Sequence, residues 1–360
     1  MLFRSGPGQP VTTCAMGKRI RNPFSSRSFQ STLRTVARTT ARLGTKLVTQ
    51  ALRQSGPKAP KWAVAKKAKP QRVGSKKSPG FLTGTSGALR YRFFKPPGVK
   101  PNERLALMVM LHGCDQDAQQ LSASTRRNQM AVRERFLVLY PEQSRFANLQ
   151  GCWNWYETRL GKAQSEADAI AAAIDQICRT QPVDTARIAL AGLSAGAAMA
   201  ALMATRQPTR FRAIAMHSGV APGTAHSPAT ALSAMRGRRV AVPIAPLSDG
   251  AHLPALLVIQ GSADPVIAPT NGVLAARLWA TREGALPTPP RTVQRGQRYP
   301  ATLTDYRAEG RLVTTLCEIS GLGHAWSGGA ARHAYSDPKG PDASRMIWSF
   351  AAKQFGICVA

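Results

Sequence analysis

The chain has 360 residues, 43% of them hydrophobic, and six cysteines. That is enough for one large α/β domain plus an appendage, and too few cysteines for a disulfide scaffold. No run approaches the roughly 18 consecutive apolar residues of a membrane-spanning helix, and the start, Met1-Leu2-Phe3-Arg4, lacks the apolar centre of a secretory signal. The charge is uneven: residues 1–80 hold 18 Lys or Arg and no Asp or Glu, so more than half of the net charge of +31 sits there.

In chain order, residues 1–85 read as a basic arm, flexible or partly helical. Arg34, Arg38, Arg42 and Lys46 recur every four residues among Leu33, Val36, Ala37, Leu43 and Leu47, which is compatible with one basic amphipathic helix. A disordered extension and an organellar transit peptide are alternative readings of the same arm. From 86 to 360, short apolar runs alternate with helical patterns, the sequence form of a mostly parallel sheet covered on both faces. The expected strands are Leu105–Leu111, Phe136–Tyr140, Ile188–Leu193, Phe211–Met216 and Leu256–Gln260. The expected helices are Glu166–Cys178, with Ala167, Ile170, Ala171, Ile174 and Ile177 on its apolar face, one after Ser194, Asn271–Thr281 and Asp342–Gln354. Ala301–Arg307 and Arg311–Ile319 read as a hairpin, and Thr224–Pro254 as an irregular excursion or part of a lid.

Ser194 lies in Gly192-Leu193-Ser194-Ala195-Gly196, between the apolar run Ile188–Ala191 and the small-residue stretch Ala197–Leu202. This is the layout of a nucleophile elbow, where a serine is presented on a tight strand-to-helix turn and glycines keep side chains out of the bend. A serine hydroxyl is a weak nucleophile, so it needs a histidine to take its proton and a carboxylate to orient that histidine. With this elbow the chain order is Ser, acid, His. Asp264 sits in the loop leaving Leu256–Gln260 and is the expected acid, with Asp305 a weaker competitor. His324, in Gly321-Leu322-Gly323-His324-Ala325-Trp326, is the expected base. His333 is the second choice, and His217 precedes the acid. The oxyanion hole is expected from the amides of Cys114 and Ala195. Trp153, Trp155 and Trp326 flank the expected cleft and are candidates for substrate binding, with His112 and Gly113 in support, although Trp153 suits core packing equally well. Cys114 and Cys152 each fall in an active-site loop, either as a disulfide or as two thiols.

Together, Leu111-His112-Gly113-Cys114-Asp115-Gln116, Gly151-Cys152-Trp153-Asn154-Trp155, the Ser194 elbow, Gly261-Ser262-Ala263-Asp264 and the His324 loop resemble the polyhydroxybutyrate depolymerase family of esterases, relatives of feruloyl and acetylxylan esterases. The resemblance spans about residues 86 to 355. It implies an α/β-hydrolase fold, with Ser194 as nucleophile, Asp264 as acid, His324 as base and Cys114 as an oxyanion donor. The implied substrate is a polyester or small ester, poly(3-hydroxybutyrate) or its oligomers, cleaved through an acyl-enzyme, with a feruloyl or acetyl carbohydrate ester as the runner-up. A reading of another class makes the protein a binder of a polyanion or granule surface through residues 1–80. No zinc spacing and no Gly-rich phosphate loop stands out, so no metal or cofactor is expected. The expected address is the cytoplasm, with granule association, while secretion and organellar import stay open.

Overall fold

A computed structural model describes residues 81–245, 247 and 251–357. Residues 1–80 of the arm, with the helix expected around Arg34 to Lys46, lie outside the described residues, whereas its last five residues belong to a strand.

Eleven strands form the main sheet: β1 (Phe81–Ser86), β2 (Leu89–Phe94), β3 (Leu105–Leu111), β4 (Leu137–Glu142), β5 (Val183–Leu193), β6 (Ala213–His217), β7 (Ala255–Gly261), β8 (Leu286–Pro287), β9 (Arg291–Val293), β10 (Ala301–Ala308) and β11 (Arg311–Ile319). Their order is β1-β2-β4-β3-β5-β6-β7-β11-β10-β8, with β9 also on β10. The stretch from β4 to β11 in this order is parallel, and antiparallel pairs close both edges. Two short strands, β12 (Trp326–Ser327) and β13 (Ser336–Asp337), pair separately.

The helices are α1 (Ala118–Thr125), α2 (Arg127–Glu134), α3 (Lys162–Thr180), α4 (Ala195–Arg206), α5 (Pro228–Met235), α6 (Thr270–Arg282) and α7 (Ala343–Gln354). Strand β3 shows why both faces of the sheet must be covered. All of its residues are buried, and they alternate between two cores. Leu107, Val109 and Leu111 pack with α3, α4 and α6, while Ala106, Met108 and Met110 pack with α1, α2 and α7. A third, smaller cluster joins Tyr156, Ala198, Val220 and Ile267 to Ala231 and Ala234 of α5.

The expected mostly parallel, doubly covered sheet is therefore present. The differences lie at its margins. The sheet begins at Phe81 rather than near 86, because β1 pairs with β2 along its full length. Helix α3 starts at Lys162, ahead of the expected Glu166. Within the excursion Thr224–Pro254, helix α5 forms behind a capping box. Ser227 and Thr230 satisfy each other's backbone amides, and Pro228 occupies the first helical turn, where its missing N–H costs nothing.

Candidate active site

Ser194 follows β5 and precedes α4 with φ 55° and ψ −119°, outside the regions that L-residues ordinarily adopt. Its N–H donates to the carbonyl of His217 at 2.9 Å, which ties the turn to the end of β6. The flanking glycines are required by contact. A Cβ on Gly192 would stand 2.3 Å from the Gly196 carbonyl, and one on Gly196 would stand 2.3 Å from the Leu111 carbonyl oxygen.

Asp264 and His324 come from two loops stitched together at the same end of the sheet. Ser262 N–H donates to Ile319 O at 2.9 Å, Ala263 N–H to Leu322 O at 3.1 Å, and Gly321 N–H to the Ser262 hydroxyl at 2.9 Å. A Cβ on Gly261 would lie 2.2 Å from Leu322 O, so only glycine allows this crossing. His324 Nδ1–H donates to Asp264 Oδ2 at 2.8 Å, leaving Nε2 as the acceptor nitrogen. The other Asp264 oxygen accepts the amides of Val266 and Ile267 at 2.9 and 2.8 Å. Burial alone would raise the Asp264 carboxyl, but the His324 hydrogen bond and charge, together with these amides, outweigh it and hold the carboxyl below its ordinary value. The competitors are engaged elsewhere or lie apart. Asp305 binds Arg291 and Thr315 across the sheet edge, and His333 is exposed.

His217 joins the two halves of the site. Its carbonyl holds Ser194, its Nε2 accepts the Ser327 N–H at 3.1 Å, and its ring pKa is pushed down to about 3 by burial and by the positive charge on His324. It is a neutral structural ring. Asp264 and His324 are paired, and among the described residues the Ser194 hydroxyl has no hydrogen-bond partner. Such bonds often close only when substrate is bound.

On the other side of Ser194, the Cys114 and Ala195 amides have no partner among the described residues, and both residues line the same pocket as the serine. His112 fixes the first of these donors indirectly. Its Nε2 accepts the Gln143 N–H at 3.1 Å, and its Nδ1–H donates to Gly113 O at 2.8 Å. In a planar trans peptide the C=O and N–H point oppositely, so holding the Gly113 oxygen sets the direction of the Cys114 N–H. A disulfide joins Cys114 to Cys152, which answers the choice left open above. The loop carrying Cys152 is in turn fastened to α3, because Asn154 donates through its backbone and its side chain to the Glu166 carboxylate.

The pocket encloses about 540 Å³, its open mouth included. Beside Ser194 and Ala195 it is lined by Cys114, Asn148, Gln150, Cys152, Trp155, Tyr156, Val220, Ala231, Met235 and Ile267. Of the three candidate tryptophans only Trp155 lines it. Trp153 and Trp326 are both 0% exposed and correct the expectation of substrate contact. Trp153 packs on the His112 ring, centroids 5.5 Å apart, and Trp326 stacks on His217 at 5.1 Å with its indole N–H on Ser344. His112 and Gly113 likewise stay out of the pocket. His112 is fully buried with both ring nitrogens engaged, and Gly113 lies behind the Ser194 side chain. Asn148, Gln150, Tyr156 and Met235 went unnoticed in the sequence, since loop residues and a short helix carry no period that points to a cavity. Among the described residues no cluster of His, Cys, Asp and Glu could hold a metal ion, and no helix is long and apolar enough to cross a membrane.

With this geometry in view, comparison with known proteins is specific. Residues 89–279 match the family described as Esterase PHB depolymerase, a span running from β2 through the Ser194 elbow and the Asp264 loop to α6. Poly(3-hydroxyalkanoate) depolymerase C of Paucimonas lemoignei is 31% identical over 185 residues, 49% of this chain and 44% of that protein. The chain thus spans less than half the length of this relative. A probable acetylxylan esterase A of Aspergillus clavatus is 26% identical over 61% of this chain and 74% of its own length. The solved acetyl xylan esterase from Aspergillus awamori superposes with a TM-score of 0.56 at 18% identity, over 77% of this chain and 99% of that one, and shares the α/β-hydrolase fold. The chain belongs to the PHB depolymerase family of esterases within the α/β-hydrolase superfamily.

Proposed function

We propose that the protein is a serine esterase that hydrolyses short-chain hydroxyalkanoate esters, poly(3-hydroxybutyrate) or its oligomers, through an acyl-enzyme. The Ser194 Oγ attacks the ester carbonyl while His324 Nε2 takes its proton, and Asp264 holds the ring in the required tautomer. The carbonyl oxygen, now negative, receives the Cys114 and Ala195 N–H groups. Collapse expels the alcohol, protonated by His324, and water then releases the acid by the same steps in reverse. The observation that supports this reading most is the strained Ser194 set between two unpaired amides in a mainly apolar pocket. The test is covalent labelling with a fluorophosphonate and turnover of a soluble 3-hydroxybutyrate oligomer. Both should be present in the wild type and absent in Ser194→Ala, and turnover that survived the substitution would overturn the reading. A second reading, an acetyl or feruloyl carbohydrate ester as substrate, draws on the acetylxylan esterase relatives. Relative rates on the oligomer, an acetylated xylan and a feruloyl ester separate the two.

For the arm we propose attraction to a polyanion or an anionic granule surface, from its 18 unopposed positive charges. If its cations neutralise duplex phosphates, log affinity falls against log salt with a slope of about −0.9 per phosphate, and deleting residues 1–80 flattens it. An unchanged slope would remove this role.

A further inference from the structure

The pocket is mainly apolar, and Asn148, Gln150 and Tyr156 bring amide and hydroxyl groups to its lining beside Ser194. There, Asn148 is already engaged: its amide N–H donates to Asn154 Oδ1 at 3.0 Å, its oxygen accepts the Gln150 N–H at 3.0 Å, and the Tyr156 hydroxyl lies against it. Gln150 is different. Its side-chain oxygen lies 3.9 Å from Cys152 Sγ, but a disulfide sulfur has no proton to give, and its amide nitrogen has no partner among the described residues.

The backbone of Gln150 is nonetheless held firmly, and held to the oxyanion loop. Its carbonyl accepts the Asp115 N–H at 2.7 Å, one residue beyond the Cys114 donor, and Cys152, two residues later, is bonded to Cys114 itself. An ester whose carbonyl oxygen lay on the Cys114 and Ala195 amides would share this pocket with the Gln150 amide. The alkyl remainder would meet Val220, Met235 and Ile267, which line the same pocket. A mainly apolar pocket in which the Gln150 amide is free to donate favours a short chain that bears an acceptor.

We infer that Gln150 reads the acyl group, its amide N–H donating to an oxygen on the carbon β to the scissile carbonyl. Both a free 3-hydroxyl and the 3-acyloxy oxygen of a polyester chain accept such a bond. An acetyl or plain butyryl group offers nothing and leaves the donor unpaired. This rests on the esterase reading above and selects the 3-oxyacyl class within it.

The experiment compares 4-nitrophenyl esters of 3-hydroxybutyrate, 3-acetoxybutyrate and butyrate on the full chain, as ratios of kcat/KM. The wild type should favour both 3-oxygenated esters over butyrate. Gln150→Leu should reduce both preferences about fivefold, the size of one lost neutral hydrogen bond. Gln150→Glu keeps the size of the side chain but cannot donate, and should reduce the 3-acetoxy preference equally. Fluorophosphonate labelling of Ser194 and the melting temperature of each variant report whether it is folded. Unchanged ratios in both variants, or no preference in the wild type, would overturn the inference while leaving the esterase intact. No turnover and no labelling in the wild type would instead sink the esterase reading, and the inference with it.

Discussion

His112 and His217 flank Ser194 from opposite sides. Each ends or follows a central strand, each is buried against a tryptophan, and each accepts a backbone amide at Nε2: His112 from Gln143 beside Trp153, His217 from Ser327 beside Trp326. The loops they support are fastened differently. The Cys114 loop carries a covalent bond to the Gly151–Trp155 segment, whereas the Asp264 and His324 loops are joined by hydrogen bonds alone. The contrast follows from what each side would do. Backbone donors stabilise a developing charge to the extent that they are already aimed, so rigidity serves them directly. An imidazole that takes a proton from serine and delivers it to a leaving group must adjust during the cycle, which a glycine-flanked loop allows. It also explains the tryptophans: two of the three serve as packing surfaces for the histidines rather than for substrate.

The base side is where single substitutions should cost most. Ser194→Ala and His324→Ala are expected to lower kcat about a thousandfold or more, and Asp264→Asn about a hundredfold, with unchanged far-ultraviolet circular dichroism in all three. Retention of most activity in His324→Ala, with loss in His333→Ala, would move the base and undo the comparison.

Next in size is the covalent fastening. Opening a crosslink with a sequence separation of 38 residues should cost about 4 kcal/mol in Cys152→Ser, seen in denaturant melts, with a fall in kcat as the Cys114 amide loosens. The counterpart on the base side, Ser262→Ala, removes one hydrogen bond to Gly321 and should cost about 1 kcal/mol. Equal losses would mean that the two loops are held alike.

Much of this arrangement was legible beforehand, for definite reasons. Strands buried on both faces read as unbroken apolar runs, so β3, β5 and β7 announced themselves, and with them the loops that carry Cys114, Ser194 and Asp264. Strand β1 did not, because its residues are largely exposed at the sheet edge. Helices α1 and α2 are eight residues each and bury too few apolar side chains to show a period. Helix α5 did leave a signal, Ser227-Pro228 with Thr230 as the third helical residue, inside a segment that otherwise looked irregular. Trp153 and Trp326 mark the limit: proximity to site residues in sequence cannot tell a wall of the pocket from the packing behind it. The three-dimensional neighbours, His112 and His217, decide that.

Acid stability tests whether the two histidines are alike in charge as well as in packing. Burial lowers both rings, His217 to about 3 from an ordinary 6.5. The unfolded chain therefore binds a proton at each site at a higher pH than the native chain does. Their contribution to stability is fully present above about 6.5 and is lost progressively as pH falls from there toward 3. For a single ring the slope can reach about 1.4 kcal/mol per pH unit. His217→Gln keeps an acceptor for the Ser327 amide but does not titrate, so denaturant melts between pH 6.5 and pH 4 should show a shallower decline than in the wild type. His112→Gln should shift the decline in the same direction, since burial lowers that ring as well. A slope unchanged in His217→Gln would mean that this ring is protonated equally in both states, and that the stack on Trp326 holds an imidazolium rather than a neutral ring.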